Sequence, residues 1–339
     1  MGPGGVGKTT MSAAFGFYWA AQGKKVLVMT IDPAKRLAQA LGIQEKKGAV
    51  KVPYPGLSGE LFAMVLDHGE IFDSFVMKAA QKNPTAQKLF KNKLYEALKT
   101  RLQGSQDFTA LIELYQRAKS GEFDVIILDT PPAEHAWQFL EAPIRLMTLF
   151  QDKITKWFRW IGSDSTSIWS QVVNVGTKQV FKVLELLTGP EFIQQIAEFF
   201  KSIYYFQDQL MEQIRASHAL LKSEETEFTL VTTQDELKIL ESLHYAKEMK
   251  EKGYHLERVI LNRAWPSDDS DLSLVEYDVN KRKEIQRLLD LLSANQKPSA
   301  ELMKRWPKDV KVLKVYDTLK SSHDLERLKE MSDDMMKAF

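Results

Sequence analysis

Residues 2–9 read Gly-Pro-Gly-Gly-Val-Gly-Lys-Thr, and this run constrains the chain more than any other. It fits the pattern of a glycine, four residues and Gly-Lys-Ser/Thr, with Gly2, Gly7, Lys8 and Thr9 at the fixed positions and Thr10 extending it. The order follows from chemistry. Across Gly4, Gly5, Val6 and Gly7 the backbone can curl so that successive N–H groups point inward at phosphate oxygens. The helix that follows adds the partial positive charge of its N-terminus. Lys8 would reach the β- and γ-phosphates of a nucleotide, and the Thr9 hydroxyl would ligate Mg2+.

Such a loop normally joins a buried strand to a helix. Only Met1 stands ahead of it, so the first strand is missing from the sequence as it stands. The expectation is a start placed inside a longer reading frame. The other reading is a protein without its central strand, which would hold nucleotide more weakly.

The rest of the chain reads as an α/β protein. A helix is expected over 8–22. Short apolar runs at Val26–Ile31, Leu61–Leu66, Val125–Leu128, Phe228–Thr232, Val259–Leu261 and Val310–Tyr316 read as strands, most of them buried. Helical spacing fills about 71–120, 136–221, 235–252, 278–293 and 323–337. Strands alternating with helices imply a mostly parallel sheet flanked by helices, a phosphate-loop nucleoside triphosphatase fold. The expected organisation is a core of 1–135 and 222–339, carrying the helical segment at about 71–120. An all-helical insertion spans 136–221.

Composition narrows the function. Forty-six basic residues balance 45 acidic ones, which argues against nucleic acid as the main partner. There is no signal peptide and no apolar run long enough to span a bilayer. The cysteine count is zero, which excludes disulfides and thiolate sites for zinc or metalloid and fits a cytoplasmic protein. Peripheral membrane association stays open.

Two acids end apolar runs. Asp129 closes Val125–Leu128 and is followed by Thr-Pro-Pro. A carboxylate at the C-terminal tip of a buried strand lies where an α/β sheet places its chemistry, so Asp129 is the candidate Mg2+-supporting acid. Asp32 closes Val26–Ile31 and precedes Pro-Ala-Lys-Arg. It stands as a candidate to orient an attacking water, and equally as a helix N-cap.

The segments Gly-Gly-Val-Gly-Lys-Thr-Thr, Ile-Asp-Pro-Ala and Leu-Asp-Thr-Pro-Pro, in this order, resemble the ArsA family of ATPases. That family includes arsenite-pump ATPases and the guided-entry ATPases that target tail-anchored membrane proteins. Bacterial ArsA-like proteins of poorly defined role are most similar, and the likeness runs nearly the whole chain. The resemblance implies an ATP- and Mg2+-dependent ATPase that works as a dimer, with itself or with a paralogue. It places Asp32 at the switch I aspartate and Asp129 at the start of switch II. It makes Asn262, in Val-Ile-Leu-Asn-Arg, the adenine-reading residue, a role suited to an amide that can pair with N6 and N7. It puts Asp235 where an acidic nucleotide-contacting residue occurs, usually Glu.

The chain also departs from that family. Relatives carry a signature Lys immediately before the Gly-Gly of the loop; here Pro3 stands there. Lys35 and Arg36, or a partner subunit, are the candidates to supply that charge, although solvated charge at a helix start explains both cations equally well. A Cys-x-x-Cys zinc clasp and arsenite-binding thiolates cannot exist without cysteine. Residues 144–210 carry three apolar stripes at helical spacing, with Trp160, Phe200, Tyr204 and Tyr205 beside them. Two readings stand: a self-contained helical cap, or a groove for an apolar client helix or a membrane surface. Guided-entry relatives bind cargo in this region. The rival functions are a client-binding nucleotide switch, a spatial-positioning ATPase, and a non-catalytic or weakly active partner subunit.

Overall fold

The computed structural model describes residues 1–31, 36–43, 48–80, 89–93, 95–97, 99, 106–131, 133–149, 191, 195, 198–199, 202, 207–264, 301–316 and 325–338. The chain divides into two compact units. One comprises Met1–Leu66, Arg117–Trp137 and Leu220–Phe339; the other comprises Asp67–Gln116 and Gln138–Ala219. The helical stretch that the sequence assigned to the core at about 71–120 is therefore grouped, over most of its length, with the insertion. The reason is local: its helices bury their apolar faces on one another, as Phe75 against Phe108 with ring centroids 5.3 Å apart.

In the first unit, α1 (Lys8–Ala21) follows the loop, then come β1 (Lys25–Thr30), α2 (Arg36–Ala40), β2 (Val50–Lys51) and β3 (Glu60–Val65). In the second unit α3 is His68–Ala80. Helix α4 (Gln106–Ser120) returns to the first unit and leads into β4 (Val125–Asp129). Helices α5 (Ala133–Leu149) and α6 (Gln207–Lys222) start and end the insertion. The chain then runs through β5 (Phe228–Thr232), α7 (Glu236–Glu251), β6 (Leu256–Ala264), β7 (Lys311–Tyr316) and α8 (Leu325–Ala338).

The strands form two sheets, ordered β2-β3-β1-β4 and β5-β6-β7, and every pairing is parallel except β2 with β3. Strand β1 is buried along its length after Lys25 because β3 and β4 flank it and α1 covers it. That is why it reads as an unbroken apolar run. Strand β4 is just as apolar, yet Val125–Leu128 are only half-buried. Its other edge pairs with no strand among the described residues.

Among the described residues, Met1 meets the outer edge of β5. The Met1 amine donates to the Thr229 carbonyl at 2.6 Å, and the Val231 N–H donates to the Met1 carbonyl at 2.7 Å. These two bonds are one rung of a parallel ladder. Met1 thus lies where the sequence reading expects the strand that enters the loop.

Helix α1 packs against both sheets. Ala13, Phe17 and Ala20 pack with Val26, Val28, Leu61 and Ala63. Met11, Ala14 and Phe15 pack with Val6, Val231, Ile260, Val315, Met331 and Met335. Gly16 permits the close approach, since a Cβ there would stand 2.7 Å from Val28 Cγ2 and 2.9 Å from Leu61 Cδ1. Helix α8 docks on the core through Leu328, Met331 and Met335, as its apolar spacing predicts.

Of the insertion's apolar stripes, Phe199 and Leu210 are buried; Ile144, just before the first stripe, is exposed. Trp157, Trp160, Phe200, Tyr204 and Tyr205 lie outside the described residues, as does the helix expected at 278–293. Among the described residues no helix is long and apolar enough to cross a membrane.

Candidate functional site

The loop lies between the Met1 rung on β5 and the start of α1. Gly7 is the N-cap of α1 and sits at φ 89°, ψ 29°, the left-handed region that glycine adopts without strain. No side chain caps the helix and no acid occupies its first turn, so its N-terminal N–H groups and partial positive charge are not answered from within the helix. Gly4 and Gly5 are exposed, and a Cβ on either would meet nothing within 4 Å. The loop is therefore open on that side.

Lys8 folds back over the loop and donates from Nζ to the Pro3 carbonyl at 2.8 Å. Burial pulls its ammonium below the ordinary lysine value. Asp129 and Glu241 oppose that shift, while Lys238 and Arg36 add to it. Thr9, at the next position, donates its hydroxyl to Asp129 Oδ2 at 2.7 Å, and Thr30 of β1 donates to the same oxygen at 3.3 Å. Asp129 is almost fully buried, and burial pushes its carboxyl above the ordinary range. The Thr9 hydroxyl, the nearby amino terminus, Thr30 and Lys8 pull the other way.

Three buried polar atoms at the strand tips lack a hydrogen-bond partner: Asp129 Oδ1, the Thr130 hydroxyl and the Thr232 hydroxyl. Buried polar atoms are seldom left unpaired unless a ligand or ion completes them. A hydroxyl and a carboxylate side by side, with spare oxygen lone pairs, are the hard donors that suit Mg2+.

Asn262, near the end of β6, is buried and donates from Nδ2 to the Val6 carbonyl at 2.8 Å. A Cβ on Gly7 would stand 2.4 Å from that same nitrogen. The amide thus presses on the loop and pins it. An asparagine amide carries two N–H donors and a carbonyl, so one donor on Val6 leaves the second and the oxygen available to a base. Asp235 is exposed and caps α7, accepting from the Lys238 N–H at 3.0 Å. Thr10 is the third residue of α1 and is half-buried. Arg36 opens α2 and is exposed.

Sequence reasoning brought Lys8, Thr9 and Asp129 to one place, and the structure brings Asn262 to the same loop. Asp32 and Lys35 lie outside the described residues. Lys238, Glu241 and Thr30 were missed. Thr30 carries a visible signal, a hydroxyl at the C-terminal tip of the apolar strand β1. Lys238 carries only a weak one, a cation in the first turn of a helix, and Glu241 only its place three residues further on.

A model of the anion-transporting ATPase family ArsA matches residues 1–305. The ATPase GET3B of Arabidopsis thaliana is 26% identical over 317 residues, covering 88% of this chain and 71% of that protein. The putative arsenical pump-driving ATPase 1 of Aquifex aeolicus is 26% identical over 291 residues, 83% of this chain and 67% of that protein. The ATPase get3 of Schizosaccharomyces pombe is 34% identical over 143 residues, 42% of this chain and 41% of that one.

Proposed function

This chain belongs to the ArsA family of anion-transporting ATPases, and from that premise we propose that it is a Mg2+- and ATP-dependent switch whose nucleotide state governs binding of an apolar client or a membrane-associated partner. The observation that carries the reading is the contact of Thr9 with Asp129 beside an unpartnered Asp129 Oδ1. It joins the loop helix to a strand tip and leaves oxygen donors free where a metal–triphosphate would sit.

In this reading the N–H groups of residues 4–10 and the α1 N-terminus hold the phosphates. Lys8 leaves the Pro3 carbonyl and turns onto them. Thr9 and Asp129 would hold the metal, which would neutralise charge on the triphosphate. Asp32 positions the attacking water, Asn262 reads adenine with its spare amide groups, and Asp235 borders the nucleoside. Dimerisation is proposed from the family. Leu237 and Leu240 support it, because both stand exposed on the first turns of α7, the helix that contributes charge near Lys8. The client surface is proposed for 144–210.

The test is nucleotide titration and phosphate release with Mg2+, for the wild type and for Lys8→Ala. Wild-type turnover that Lys8→Ala abolishes supports the reading. Turnover that survives Lys8→Ala places the activity elsewhere. Light scattering with ATP present tests the dimer, and a monomer in every nucleotide state counts against it.

A further inference from the structure

The loop itself offers one side-chain cation, Lys8. Pro3, ahead of the glycines, contributes only a carbonyl, and Lys8 takes it. Two further side chains, Arg36 of α2 and Lys238 of α7, carry positive charge that helps to lower the Lys8 pKa.

The fold explains why α7 reaches the loop. The Met1 rung fixes the loop entry against Thr229 and Val231, so the C-terminal end of β5 finishes beside the loop. Asp235 then caps α7 three residues after β5 ends, and the first turn of α7 begins at the same sheet edge.

Lys238 sits in that first turn. A cation there opposes the helix dipole, so the position does nothing for the helix. Its Nζ stands 3.5 Å from Glu241 Oε2, and its side chain is 36% exposed. A tight ammonium–carboxylate pair is shorter, about 2.7–2.9 Å. The ammonium is therefore held loosely, partly shielded and within reach of the field of Lys8. Glu241 acts on both lysines.

We propose that Lys238 is a second phosphate-binding cation, held on Glu241 in the empty site and turned onto the terminal phosphate of the bound nucleotide. The triphosphate keeps net negative charge after its metal is counted, and Lys8 neutralises only part of it. A fixed cation aimed at the remainder lowers the energy of both the bound state and the charge that develops on transfer. Glu241 serves as the counter-ion that keeps two lysines near one loop from repelling each other while the site is empty. This inference rests on the reading of the loop as an ATP site.

The experiment measures ATP and ADP affinity by calorimetry, steady-state hydrolysis and thermal unfolding. The proteins are the wild type, Lys238→Met, Lys238→Arg and Glu241→Gln. Losing one charge-assisted hydrogen bond weakens ATP binding by about tenfold or more. Lys238→Met is expected to show that loss for ATP and a smaller one for ADP, with an unchanged unfolding temperature. Lys238→Arg restores most of it, and Glu241→Gln tightens ATP by freeing the lysine. Equal losses for ATP and ADP with a lowered unfolding temperature overturn the proposal in favour of a structural role. ATP affinity in Lys238→Met equal to wild type overturns it as well and leaves the ATPase reading intact. A wild type that binds no ATP overturns both.

Discussion

Replacing Asn262 by alanine removes a clamp as well as a candidate base contact, and the two losses are separable. The Asn262 Nδ2–Val6 carbonyl bond is 2.8 Å long, and both residues are shut off from water, at 5% and 1% exposure. Without the amide the Val6 carbonyl stays buried and unpaired. That costs about 1–3 kcal/mol, against roughly 1 kcal/mol for a hydrogen bond whose partner can turn to water. Asn262→Asp keeps the size but puts an acceptor against an acceptor and a charge in a buried site, so it is expected to cost more than alanine. Urea unfolding without nucleotide measures both. Nucleotide titrations then divide the roles. If the amide only reads adenine, Asn262→Ala weakens ATP and leaves inorganic tripolyphosphate unaffected. If it also orders the loop, both ligands weaken. A variant that unfolds at the wild-type urea midpoint and binds tripolyphosphate like the wild type refutes the clamp.

Three further outcomes follow from the same geometry. The Asp129 carboxyl has its pKa raised by burial, so its folded-state benefit is present at acid pH and lost as pH rises through that raised value; without metal, Asp129→Asn is therefore expected to gain stability over wild type at pH 7 and lose that advantage near pH 4, while Mg2+-dependent hydrolysis disappears, and a variant equally destabilised at both pH values contradicts this. Asp32→Asn is expected to keep ATP affinity and lose turnover, and unchanged turnover reduces Asp32 to a helix cap. An extended apolar segment of about five residues ahead of Met1 is expected to pair with β4, so that hydrogen exchange at Val125–Leu128 slows; unchanged exchange shows that no strand adds at that edge.

The loop and the strand-tip acid were legible because each is written in consecutive residues. A glycine-rich turn before a helix, and an acid closing an apolar run, need no tertiary information. The boundaries of β5 were read to the residue because Phe-Thr-Leu-Val-Thr is bounded by polar residues on both sides. Strand β6 was read as three residues and spans nine. Its ends, Leu256-Glu-Arg and Asn-Arg-Ala, are polar because they form the sheet's rim, where Arg258 pairs with Glu227 at 2.8 Å. Strand β2, two residues long, was not read at all, and α2, five residues long, was read only as a helix start after Asp32. Lys238 was invisible for another reason. Its relation to Lys8 depends on which sheet edge β5 reaches, and no local pattern encodes that.

Helix α1 explains how one loop can bear on the whole first unit. Its composition, Lys-Thr-Thr-Met-Ser-Ala-Ala-Phe-Gly-Phe-Tyr-Trp-Ala-Ala, has a low amphipathic character because apolar residues face more than one way. A helix apolar on one stripe covers one surface. This one covers two: Phe17 and Gly16 face β1 and β3, while Met11 and Phe15 face the β5-β6-β7 sheet and α8. Ile127 of β4 packs against both sets. Close-packed interiors transmit displacement rather than absorb it. The Asp129 contacts to Thr9 and Thr30 tie β4 to the start of the same helix. A loop that tightened on phosphate would therefore pull at the first turn of α1, and the pull would reach both sheets through the side chains packed on that helix. A ligand bound at the phosphate-loop motif would bear on both sheets at once, the placement that a nucleotide-governed change of conformation requires.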